Sequence, residues 1–319
     1  MTPAPHRIPP CLAALLAVLS AALLTLAGLF PATVRPAGAA AAAPAPTPNP
    51  TPIATHDALE AAPLRVFILD QPPWSYTCGG QAVGGAVEVA RVVLHRLGRS
   101  VEFQMLPFNR GVELVAQGKL DAALGLYRTP KRETRFHFSS VPLYDDEVVM
   151  LVPSPVSGNA PGTPAAPSPE ASPSKTSPPD SGTVRDAALY GDKPLAVVLG
   201  YSYGPTLDTL FAQPGMVRIS NVYSLEEAVQ ALLDGRVGGA PGDRLTLRQL
   251  VRRLAPGSAP TLAGPPFDYV SAYMAFAPSE SNLALARDFD RLMGQMRASG
   301  EYAAIIAEAF RIHDAHYPQ

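Results

Sequence analysis

Apolar positions along the chain come in short runs separated by stretches of helical periodicity. Leu64–Leu69 is a compact apolar run of strand length, and Val101–Leu106, Leu120–Leu126 and Glu147–Val152 repeat it. Between the first two, Gly84–Leu97 sets Val87, Ala90, Val93, Leu94 and Leu97 on one helix face, with Gly98 placed to end it. Asn109 is placed to cap a second helix through Gln117, which Gly118 stops. This β-α-β-α-β order predicts parallel strands with helices on both faces.

The second half repeats the style. Leu195–Leu199, Val217–Ser220, Val237–Gly242 and Tyr269–Ala277 read as strands. Ser202 or Gly204 opens a helix with Pro205 in its first turn, and Ser224 with Glu227 forms a capping box for a helix that ends at Gly235. Asp243–Leu254, Ser281–Ala298 and Glu301–Ile312 are the remaining helices. Two α/β units, with one strand leading out and another leading back, predict two lobes around a cleft. Small ligands bind beyond the carboxyl ends of such strands.

Composition changes this picture at three places. Met1–Pro10 carries Arg7, and Cys11–Phe30 is an uncharged run of 20 residues followed by Ala/Gly-rich sequence. This describes a secretory signal peptide over residues 1–40 with A-x-A-like cleavage sites, and a retained membrane anchor is the alternative. Residues 41–62 form a Pro/Ala-rich tether. Residues 151–184 form an insert with nine prolines between Pro153 and Asp180 and almost no bulky apolar side chain, so it is expected to be disordered. The folded part is then 63–150 (first lobe), 185–270 (second lobe) and 271–319 (return to the first lobe and closing helices).

The net charge of −2 gives no sign of a nucleic-acid binder. Two cysteines build neither a disulfide scaffold nor a four-cysteine zinc site, and Cys78 reads as a spectator thiol. The sequence holds no nucleophile elbow, P-loop or zinc-protease motif, so no catalytic residue, metal or cofactor is expected. His313 and His316 read as a solvated tail.

Some side chains nevertheless suit a ligand. Thr129 followed by Pro130 is a good helix start, and Arg132 falls in its first turn. A guanidinium beside free N–H groups makes a carboxylate clamp, although Arg128, Lys131, Arg132 and Arg135 also read as a solvated basic turn. Asp243 is placed either to receive a cation or to cap the helix that follows it. Trp74, after two prolines at a strand end, reads as a cleft floor or as core. Tyr127, Ser202, Tyr203 and Phe108 sit in loops that face the expected cleft.

Four stretches carry a resemblance: Pro72-Pro73-Trp74-Ser75; Gly118-Lys119-Leu120-Asp121-Ala122 with Thr129-Pro130-Lys131-Arg132; Phe138 to Tyr144; and Gly235-Arg236 followed by Asp243. Met296 to Tyr302 adds to them. In order and spacing the chain resembles family 3 of the extracytoplasmic solute-binding proteins, the polar amino-acid type that feeds ABC importers. The resemblance implies an α/β, two-lobed periplasmic binding protein type II fold, each lobe a mostly parallel sheet flanked by helices, joined by two hinge strands. It implies a periplasmic monomer that closes on a small-molecule solute and delivers it to an ABC permease. It also implies that Arg132 holds a ligand's α-carboxylate and Asp243 its α-ammonium group. Gly125-Leu126-Tyr127-Arg128 departs from the family, where a Ser-rich run often serves the ammonium. Two other functions fit the same scaffold: a cyclohexadienyl dehydratase, for which Glu88 and Asp121 are the nearest lobe-1 acids, and a sensor subunit for a membrane partner.

Overall fold

A computed structural model describes residues 62–153, 192–214, 218–257 and 260–316. The expected signal peptide and nearly all of the expected tether and insert lie outside the described residues. So does Val217.

The first sheet grows from β1 (Leu64–Ile68), whose near-continuous apolar run is covered on both faces. It pairs in parallel with β4 (Val101–Met105) on one side and β5 (Ala122–Tyr127) on the other. Helix α1 (Gly85–Arg96) packs on one face of this sheet with the closing helices α7 (Glu280–Ser299) and α8 (Glu301–His316). Helix α2 (Phe108–Ala116) packs on the other face, where Phe67, Phe136 and Val115 form a separate cluster. Gly111 brings α2 close, because a Cβ there would lie 2.3 Å from the Phe67 ring. Each fully buried Leu or Phe of these cores contributes about 1.5–3 kcal/mol of transfer free energy.

After the one-turn helix α3 (Pro130–Glu133) and the short strand β6 (His137–Phe138), β7 (Tyr144–Val152) leads out to the second lobe. There β8 (Leu195–Val198) and β9 (Ile219–Val222) pair in parallel. Helix α4 (Pro205–Phe211) lies between them in sequence. Helices α5 (Leu225–Leu233) and α6 (Arg244–Leu254) build a second core with Val149, Leu151, Val198 and Ala240. Strand β10 (Ala240–Asp243) pairs antiparallel with β7. Strand β11 (Thr261–Phe276) returns along β7 and then along β5. A sheet in the order β10-β7-β11-β5-β1-β4 therefore passes from one lobe to the other.

Several expectations are corrected. The outgoing and returning strands are longer than Glu147–Val152 and Tyr269–Ala277. Gly264, Pro265 and Pro266 obscure the latter, since proline donates no ladder bond, and they sit where the β11 register shifts between Ala263 and Asp268. Pro107, not Asn109, precedes α2. The strand expected at Val237–Gly242 begins only at Ala240. A small hairpin, β2 (Tyr76–Cys78) and β3 (Gln81–Val83), turns at Gly79 and Gly80, both at positive φ. His313 is 1% exposed and meets Tyr76 edge-on at 5.0 Å, because the last helix packs against α1 instead of trailing into solvent.

Candidate functional site

The turn after β5 positions Arg132. Thr129 caps α3 by accepting from the Arg132 backbone N–H at 3.3 Å, and Pro130 supplies a pre-set first helical residue. The Arg132 side chain turns back over the strand end. Nη1 donates to the Tyr127 carbonyl at 2.8 Å and Nη2 to the Gly200 carbonyl at 3.1 Å. Its guanidinium lies 5.3 Å from the centroid of the Phe108 ring, within cation–π range. Burial lowers its pKa to about 10, offset in part by Asp208, Tyr201 and Tyr127. It remains a cation at neutral pH.

Asp243 ends β10 and caps α6. Its Oδ1 accepts from Leu245 N–H at 3.3 Å and its Oδ2 from Thr246 N–H at 2.6 Å. It is 5% exposed, and burial raises its pKa. Beside it lies a second carboxyl, Asp146, on the same face of the β7–β10 ladder. Asp243 pairs with Val148, two residues along from Asp146. Asp146 is 4% exposed and its Oδ2 accepts from the Tyr127 hydroxyl at 2.6 Å. Burial and the neighbouring Asp243 charge push its pKa well up. Asp146 Oδ1, Thr246 Oγ1 and Trp74 Nε1 are buried without a hydrogen-bond partner. The Trp74 indole is close enough to favour the ionised form of Asp146, yet makes no hydrogen bond to it.

A cleft lined by Phe108, Tyr127, Arg132, Ser202, Tyr203 and Asp243 brings six of the eight expected residues together. Trp74 and Thr129 do not line it. Trp74 stacks on Tyr144 with ring centroids 4.1 Å apart, within the core of the first lobe. Ser202 and Tyr203 line the wall while committed to their own lobe. Ser202 Oγ donates to Asp208 at 2.5 Å, and the Tyr203 hydroxyl accepts from Val198 N–H at 2.8 Å. Tyr201, which sequence reasoning missed, meets Phe108 edge-on at 4.5 Å. The free space inside is about 30 Å³, room for a water or two. A larger cavity of about 340 Å³ lies beyond Phe108 and Tyr201, rimmed by Asp70, Tyr223 and Glu226. At that rim Arg253 of α6 bridges Asp70 at 3.0 Å and Glu226 at 3.1 Å.

Asp146 was the other residue missed. Its signal is alternation along β7, where Tyr144, Asp146 and Val148 are buried and Asp145 is exposed. An acid in phase with the inward apolar positions is the readable anomaly. The two acids weighed for dehydratase chemistry are engaged elsewhere. Glu88 pairs with Arg91 on α1, and Asp121 accepts from the Arg65 backbone N–H at 2.7 Å. Among the described residues no group of three or more His, Cys, Asp or Glu could hold a metal ion, and no helix is long and apolar enough to cross a membrane.

Two α/β lobes, crossed by two antiparallel strands and enclosing a cleft with an arginine and an aspartate, define the periplasmic binding protein type II fold. The chain belongs to the bacterial extracellular solute-binding proteins, family 3, whose model matches residues 64–312. No curated protein sequence matches it. Among solved structures it is similar to a mutant of ArgBP from T. maritima (TM-score 0.59, 19% identity, 78% of this chain and 95% of that one). It is as similar to the arginine-, lysine-, histidine-binding protein ArtJ from Geobacillus stearothermophilus (0.59, 20%, 78% and 95%). A histidine kinase sensor domain with similarity to periplasmic binding proteins is also alike (0.60, 15%, 78% and 96%). At these identities the likenesses carry the fold alone.

Proposed function

We propose that this protein captures a small zwitterionic, amino-acid-like solute between its lobes in the periplasm and delivers it to an ABC permease. The carrying observation is that a half-buried guanidinium and a buried carboxylate, Arg132 and Asp243, line one cleft from different lobes. In this reading Arg132 takes the solute's carboxylate and Asp243 its ammonium group. The arginine-, lysine-, histidine-binding protein ArtJ and the arginine-bound form of ArgBP agree with this ligand class. The free space of about 30 Å³ is too small for an amino acid, so entry requires the lobes to part along β7 and β11, a hinge motion. Uncommitted groups for acid–base chemistry are lacking in Glu88 and Asp121, which favours binding over a dehydratase. A thermal-shift screen of amino acids and small organic anions tests the proposal. A rise in melting temperature confined to zwitterions supports it, and a response confined to ligands without an amino group contradicts it.

A further inference from the structure

We infer that Asp146 is a positioning residue which carries a proton in the unliganded site and points it at Asp243 in a hydrogen bond, so that Asp243 keeps the one negative charge at the cleft wall. The argument starts from packing. Asp146 and Asp243 lie on one face of the β7–β10 ladder, both more than nine-tenths buried. The groups that act on Asp146 are Tyr127 from β5, Asp243 from β10 and Trp74 from the loop after β1. Tyr144 stands two residues away on the same strand, and the ladder partner on β11 is Val270, which does not titrate. Beside Asp243 stand Leu245 and Thr246 of α6. No cation is among the groups acting on either carboxyl. Two neighbouring buried carboxylates on one ladder face, with no cation beside them, strongly disfavour ionising together.

The hydrogen bonds decide which one is the acid. Asp243 receives two backbone N–H groups at a helix start, which favours its anion. Asp146 receives one phenolic hydroxyl at Oδ2, and its Oδ1 has no partner. A proton on Asp146 supplies the missing bond, running to Asp243. The result is a relay in which the Tyr127 hydroxyl donates to Asp146 and Asp146 donates to Asp243. Tyr127 and Asp243 line the cleft, and Asp146 sits behind them.

The inference rests on Asp243 as the cation acceptor of the proposed function, and its test needs no solute. In the protein labelled with 13C at the aspartate carboxyl carbons, one carboxyl is expected to stay protonated well above the pH at which an ordinary aspartate ionises. Asp146→Asn should remove that resonance without lowering the melting temperature at neutral pH, since an amide both donates to Asp243 and accepts from Tyr127 and has no proton to take up on folding. Asp243→Asn supplies an independent arm: without the neighbouring anion, Asp146 should titrate at lower pH than in wild type. A spectrum with every aspartate ionising at the ordinary pH overturns the inference. So does a protonated resonance that survives Asp146→Asn. If the shared proton is found and no zwitterion binds, the proposed function fails and the relay stands.

Discussion

The Arg132 guanidinium donates to the Gly200 carbonyl oxygen at 3.1 Å, a bond that joins the turn after β5 to the loop after β8. The residue read as a ligand clamp therefore already has partners when no solute is present. Arg132→Ala removes this bond, the bond to Tyr127 and the contact with Phe108. We expect a loss of about 1–3 kcal/mol of stability without ligand, and a one- to two-decade loss in affinity for a zwitterion. Denaturant titration and calorimetry measure the two. Lysine should restore the charge and not the affinity, because an ammonium cannot span both carbonyls and a carboxylate.

Gly200 has a positive φ of 82°, and a Cβ there would lie 2.2 Å from Asn109 Oδ1. Gly200→Ala combines a left-handed backbone with that clash, costing about 1–2 kcal/mol for the conformation alone. Asn109 belongs to the first lobe, and the clash meets only the end of its side chain, so rotation of Asn109 relieves it before the lobes part. Small-angle scattering should show an unchanged radius of gyration for the variant. A larger radius would mean that Asn109 cannot turn aside and that the loop braces the closed arrangement.

The stability contributed by Asp146 and Asp243 should fall as pH rises from about 4, the ordinary aspartate value. The pKa of Asp146 is raised well above that value in the folded protein, and that of Asp243 is raised too, chiefly by burial. A raised carboxyl binds protons more tightly in the native state than in the unfolded one. Its stabilising effect is complete below the unfolded pKa and is lost as pH climbs through the folded one. Thermal melts of wild type against Asp146→Asn across this range isolate the contribution as a difference in slope. Parallel curves would place the effect elsewhere.

Most of the scaffold was legible because its punctuation is local. Thr129-Pro130, the Ser224/Glu227 pair and the Asp243 cap each fix a helix start with side-chain hydrogen bonds a few residues long. What escaped depends on distant packing. Trp74 has the sequence context of a cleft aromatic, and only the fold shows it stacked on Tyr144 in the core. Tyr201 fills the cleft because β8 points its following loop at Phe108, a relation between segments far apart in sequence. Asp146 was passed over inside an acidic run, although its phase with the buried positions of β7 was there to be read.

The central claim, that Arg132 and Asp243 grip the two charges of one solute, is tested most directly by calorimetric titration of wild type, Arg132→Ala and Asp243→Asn. The titrants are a zwitterion selected by thermal shift and its analogue without the amino group. At a hundredfold excess over its dissociation constant, that zwitterion should raise the melting temperature by roughly 5–10 °C. Arg132→Ala should weaken both compounds, and Asp243→Asn the zwitterion alone. Equal affinities in wild type and Arg132→Ala, or an Asp243→Asn effect confined to stability, would contradict the account.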